Sequence, residues 1–145
     1  VNAPVAPPTT RRRGPVRRLA APLGVLAAGA AAFAYVGAVD PRHPGHYPVC
    51  PLLHLTGLYC PACGGLRSAY AVAHGDLGAA LGANALAVAA YAACAVFWVV
   101  WTVRAASGRR TPGPQPRAVH WWALGALLLV FTVVRNLPFG AALVP

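Results

Sequence analysis

Three stretches of this chain, residues 19–39, 83–103 and 118–134, run for 21, 21 and 17 residues without an acid, a lysine or an arginine. At a helical rise of about 1.5 Å per residue, the longer two reach about 30 Å, the thickness of a bilayer's hydrocarbon core. Each is read as a membrane-spanning helix. Composition supports this, because 10% of the residues are charged and 58% hydrophobic, whereas a soluble domain carries roughly 25% charged residues. Fifteen glycines and fifteen prolines would suit disorder, but disordered chains are poor in apolar residues. Three spans use about 60 positions and leave no room for a separate globular domain. An all-α integral membrane protein is therefore expected, with residues 19–145 forming one membrane domain.

The formal charge is +10, and all twelve basic residues are arginines set against two acids, Asp40 and Asp76. No aromatic-interleaved basic face or zinc-finger spacing accompanies them, so nucleic acid is not the expected partner. Their placement reads as topology instead. Five arginines lie in the Pro-rich tail 1–18 and four in 104–117; two lie between the first and second spans and one follows the third. Nine against three puts the N-terminus and the 104–117 linker in the cytoplasm, with the loop 40–76 and the C-terminus outside. Trp98, Trp101, Trp121 and Trp122 would form one inner interfacial belt. The tail is expected to be disordered, and the location a bacterial inner membrane. A signal peptide competes for the first run, with Val36, Gly37 and Ala38 as a small-residue cleavage site, but the run exceeds the usual apolar core of roughly 7 to 15 residues. An uncleaved anchor is favoured.

Everything chemically unusual then falls at the outer end. Cys50, Cys60 and Cys63 are spaced C-x9-C-x2-C, while Cys94 lies alone in the second span. Three readings stay open. A disulfide from Cys50 to Cys60 or Cys63 would staple the loop in an oxidising compartment. Cys60 and Cys63 could instead form a thiol–disulfide relay with Cys50 as resolving partner, although no βαβ pattern suggests a thioredoxin fold. Alternatively, the three cysteines with His54 or His74 could hold a soft metal ion, since Cys-x2-Cys is a standard half-site.

After Cys63 the apolar positions Leu66, Tyr70, Ala73 and Leu77 have a helical period. Cys63, Arg67, Tyr70 and His74 would share one stripe within about 60° of such a helix. A short interfacial amphipathic helix, with Arg67 and His74 snorkelling to the head groups, is the favoured reading. Asp76 and Arg135 both sit at outer helix ends, and an ion pair between them would tie the second and third spans together, with Arg67 as competitor. Asn84 could hydrogen-bond across helices. Asn136 adjoins Arg135, and Gly78 with Gly82 makes a small-xxx-small pair suited to close helix approach.

The segment from Cys50 to Ala87 resembles the bacterial membrane-protein family catalogued as domain of unknown function 2752. The matching residues are Cys50 and Pro51; Thr56, Gly57, Cys60, Pro61, Cys63 and Gly64; Arg67; Gly75 and Asp76; and Asn84. The ending Arg135-Asn136-Leu137-Pro138 is similar too. Gly65 departs from the family's usual step before Arg, and Ala85 stands where proline is common. The resemblance implies a small multi-span helical protein without naming an activity. The function expected is a non-enzymatic envelope component, whose disulfide- or metal-stabilised cap engages a membrane partner or a second copy within the bilayer. The relay and a metal-binding membrane protein are the alternatives.

Overall fold

The computed structural model describes residues 15–43, 45–109 and 115–143. Residues 1–14 of the expected 1–18 tail and the centre of the linker, 110–114, lie outside them. All regular structure among the described residues is helical: α1 Pro15–Ala38, α2 Pro51–Thr56, α3 Gly65–Ala73, α4 Leu77–Ala106, α5 Ala118–Arg135, and a final 3-10 helix Pro138–Leu143. Three of them, α1, α4 and α5, are long and apolar enough to cross a membrane.

The first span begins four residues earlier than expected. Proline is tolerated in a first turn because it lacks only an N–H that has no helical partner there, so Pro15 opens α1 and Arg17 and Arg18 belong to the helix. The Arg18 guanidinium lies against Gly108, just past the C-terminus of α4, where a cation complements the helix dipole. Pro22 is inside α1, and its own carbonyl accepts a hydrogen bond from Trp98 Nε1 at 2.9 Å. This contact ties α1 to the tryptophan end of α4.

The second span is longer than the run 83–103, and it is broken. At Asn84 the backbone is extended (φ −167°, ψ 95°), so α4 consists of a short helix over 77–83 and a longer one over 85–106. The longer part is about 33 Å at 1.5 Å per residue, enough to cross the hydrocarbon alone. Asn84 begins it, because its Oδ1 accepts from Ala87 N–H at 2.9 Å as an N-cap residue does. The short part is capped by Asp76, whose Oδ1 accepts from Ala79 N–H at 2.9 Å.

Small residues set the packing. Ser68, Ala69 and Ala71 of α3 are buried, as are Ala80 of α4 and Val36 of α1, while Leu66 and Leu77 are exposed. The buried face of α3 is therefore its small one, against α4 and α1, rather than the Leu66–Leu77 stripe. With lipid on the outside, leucines gain nothing by turning inward, and small side chains let backbones approach. Helices α1 and α3 approach closely at Gly37, where a Cβ would stand 3.2 Å from the Ala73 Cβ; Gly78 and Gly82 meet no neighbouring helix. Buried Ser68 donates its hydroxyl to Ala80 O at 3.0 Å. Helix α5 stands apart, and among the described elements it reaches the others through the 3-10 helix, which lies on α4, and through polar contacts at its C-terminal end.

Candidate functional site

The cysteine segment is shaped by its prolines and glycines. Cys50 precedes Pro51, which disfavours helical backbone in the residue before it, so Cys50 is extended (φ −63°, ψ 118°) and α2 starts at Pro51. Six residues later α2 stops at Gly57, which is left-handed (φ 72°) and returns its N–H to Leu53 O. Thr56 supports the reversal, donating to Leu52 O at 2.6 Å and accepting from Leu58 N–H at 3.2 Å. The chain is thereby turned back toward Cys50. A second turn follows, in which Cys63 N–H donates to Cys60 O at 3.1 Å and Gly64 is left-handed (φ 81°) ahead of α3.

These two reversals bring three sulfurs together. Cys60 Sγ lies 3.5 Å from Cys50 Sγ and 3.0 Å from Cys63 Sγ, and all three fall within 4.8 Å of one another. None is in a disulfide; Cys63 is buried, Cys50 and Cys60 are half-buried, and Cys94 is exposed on α4. Burial first, and then the neighbouring sulfurs of Cys60 and Cys50, push the Cys63 thiol up to about 12. Cys50 is lowered, chiefly because the Leu53 N–H donates to its sulfur.

The backbone beneath the sulfurs is gripped by three polar side chains from distant elements. Asn84 Nδ2 donates to Pro61 O at 2.9 Å and Cys63 O at 3.1 Å. Asn136 pairs with both sides of one peptide residue, accepting from Tyr59 N–H and donating to Tyr59 O, each at 2.9 Å. Arg135, only 1% exposed, donates Nη1 to Cys60 O at 3.2 Å and Nη2 to Ala83 O at 3.1 Å. Its guanidinium carbon lies 5.9 Å from the Tyr59 ring centre and 5.5 Å from that of Phe131, within cation–π range. The break in α4 explains why Ala83 O is available. Ala87 N–H is taken by the Asn84 side chain, and the orphaned carbonyl needs a donor in a low-dielectric setting.

Several expectations are corrected. Asp76 and Arg135 are not paired: the exposed Asp76 carboxylate caps α4, and Arg135 turns to backbone carbonyls. His74 is not among the thiols. It caps the far end of α3, its ring 4.2 Å from that of Tyr70 and its Nδ1 2.9 Å from Tyr70 O. His54 is exposed on α2 and outside the cluster as well. The four-residue stripe fails because Cys63 precedes the helix, with left-handed Gly64 between them. Asn84, Arg135 and Asn136 do converge on the loop, but as clamps on its peptide groups. Tyr59 and Ser68 were not singled out by sequence; an aromatic residue next to Cys60 was the one available signal.

Over the sulfurs opens a cleft of about 500 Å³, walled by Arg42, Tyr47, Leu53, Tyr59 and Arg67. The Gly64 conformation governs its floor. Gly64→Ala puts a side chain in the left-handed region at a cost of about 1–2 kcal/mol, so a lowered thermal midpoint and faster alkylation of Cys63 are expected in detergent-purified protein.

Residues 50–98 match the family model described as protein of unknown function, DUF2752, the same family that the cysteine segment resembles. The match takes in α2, α3 and α4 as far as Trp98, and it stops short of Arg135 and Asn136. No curated protein and no solved structure matches the chain.

Proposed function

We propose that this membrane protein holds a thiophilic metal ion through Cys50, Cys60 and Cys63, and that the ion closes the cap over the helix ends. The observation that carries this reading is the mutual approach of three unbridged sulfurs within 4.8 Å. Tetrahedral zinc with Zn–S bonds of about 2.3 Å would set its sulfurs about 3.8 Å apart, inside the range from 3.0 Å upward found here. Thiolates select zinc, copper(I) and similar soft ions. Three protein ligands also leave a fourth position open, as in sites that take an exogenous ligand.

A thiol–disulfide relay has one observation in its favour, since Cys60 is within 3.5 Å of both other sulfurs. Against it, neither Cys60 nor Cys63 lies in the first turn of α3, where a helix N-terminus would lower the pKa of a reactive thiol. The arginine distribution supports a loop facing outward from a bacterial inner membrane, with a non-enzymatic role in the envelope and the bilayer as its first partner.

Reduced, metal-free protein in detergent is expected to take up one cadmium ion per chain, with thiolate-to-metal charge-transfer absorbance that saturates at that ratio. Zinc or copper in the same proportion is expected in protein purified without chelator. Absence of that band, with Cys60 and Cys63 cycling between thiol and disulfide under mild redox buffers, would overturn the metal reading in favour of the relay.

A further inference from the structure

The sulfurs occupy only part of the cleft floor, and the rest of the cleft has a distinct chemistry. Its volume, about 500 Å³, is within the range of small-molecule sites. Two arginines are among its lining residues, Arg42 from the turn after α1 and Arg67 from the first turn of α3, and no acidic residue lines it. Arg42 meets Asp40 through its backbone N–H, at 2.9 Å, and the Asp40 carboxylate faces His43 at 3.8 Å. Among the described residues, neither the Arg42 nor the Arg67 side chain has a hydrogen-bonding or ionic partner within the protein. Both cations are thus available to something entering the cleft.

Charge narrows what that is. This step rests on the metal reading above. Three thiolates around a divalent ion carry one net negative charge, and the two guanidiniums turn the surroundings to one net positive charge, with a coordination position still open. A monovalent ion would leave the cleft neutral and in need of no anion. Guanidinium forks match the paired oxygens of phosphate and carboxylate. We propose that the cleft binds an oxyanion, which occupies the open position of a divalent ion on Cys50, Cys60 and Cys63 and pairs with Arg42 and Arg67. The apolar wall at Leu53 and Tyr59 suits an organic remainder on the same molecule. The cleft lies where the helices end, so the oxyanion can come from solution or from a lipid headgroup.

Cobalt(II) is the probe, because its thiolate charge-transfer band reports the sulfurs and its d–d bands report the remaining ligand. Inorganic phosphate or acetate, added to cobalt-loaded protein in anion-poor detergent buffer, is expected to shift the d–d bands saturably and leave the charge-transfer band in place. Reconstitution into phosphatidylglycerol nanodiscs without added phosphate, compared with phosphatidylcholine nanodiscs, separates the sources. A shift there assigns the anion to the headgroup, and a shift with free anions alone assigns it to solution; either supports the proposal. Arg67→Gln is expected to weaken the response about tenfold or more, the effect of one charged hydrogen bond. Arg42→Gln, at an exposed loop position, reads the same effect if Arg67→Gln takes up no cobalt. Bands unmoved by every anion, or variants that respond like the wild type, overturn the proposal and leave the metal site standing. Failure of the wild type to form the charge-transfer band overturns the metal reading itself.

Discussion

Replacing Arg135 by methionine is expected to destabilise the protein by about 3 kcal/mol and to release the cysteine loop. The side chain is buried at 1% exposure and reaches two carbonyls, Cys60 O and Ala83 O. Hydrogen bonds from a charged donor contribute roughly 1.5–3 kcal/mol, and a buried carbonyl stripped of its donor adds a desolvation cost. Arg135→Lys is expected to fall between wild type and methionine, because an ammonium is a point charge that does not fork across two acceptors. Thermal unfolding in detergent and the alkylation rate of Cys60 measure both effects. A methionine variant with wild-type alkylation and midpoint would show that the loop is held without the guanidinium.

Cys60→Ser is expected to lower metal affinity at least about a hundredfold, more than the 10- to 100-fold typical of losing an outer-shell partner. Cys60 is the sulfur nearest to both others, at 3.5 Å and 3.0 Å. A hydroxyl is a hard, neutral donor where a soft anionic one is needed. Cys94→Ser, on an exposed face of α4, is the matched control and is expected to bind as the wild type does. Equal affinity in both variants would remove Cys60 from the ligand set.

The three helices long and apolar enough to cross a membrane were legible because hydropathy over some 20 residues is a strong, local signal. The gathering of Cys50, Cys60 and Cys63 was legible in part, since Thr56-Gly57 and Gly64 are turn chemistry. Pairwise assignments were harder. Asp76 and Arg135 are the residues that charge alone would match, yet a carboxylate next to a helix start has a local partner one turn on, at Ala79 N–H, and closing the cap costs it nothing. His74 followed from helical spacing counted from Cys63, which a single left-handed glycine puts out of register. The role of Asn84 was the least visible. Without a following proline, nothing in its apolar neighbourhood marks the helix as interrupted, and the interruption exists because its side chain caps the part that follows while reaching back to Pro61 O and Cys63 O.

The donor for Ala83 O sits 52 residues further along the chain. Since synthesis runs from the N-terminus, the ribosome releases α1, the cysteine segment and α4 before it has made that arginine. During this interval the gap in α4 is open and Cys60 O lacks one of its two donors. Arg135 supplies both donors at once, so the polar grip on the cysteine segment is complete only when α5 has been made.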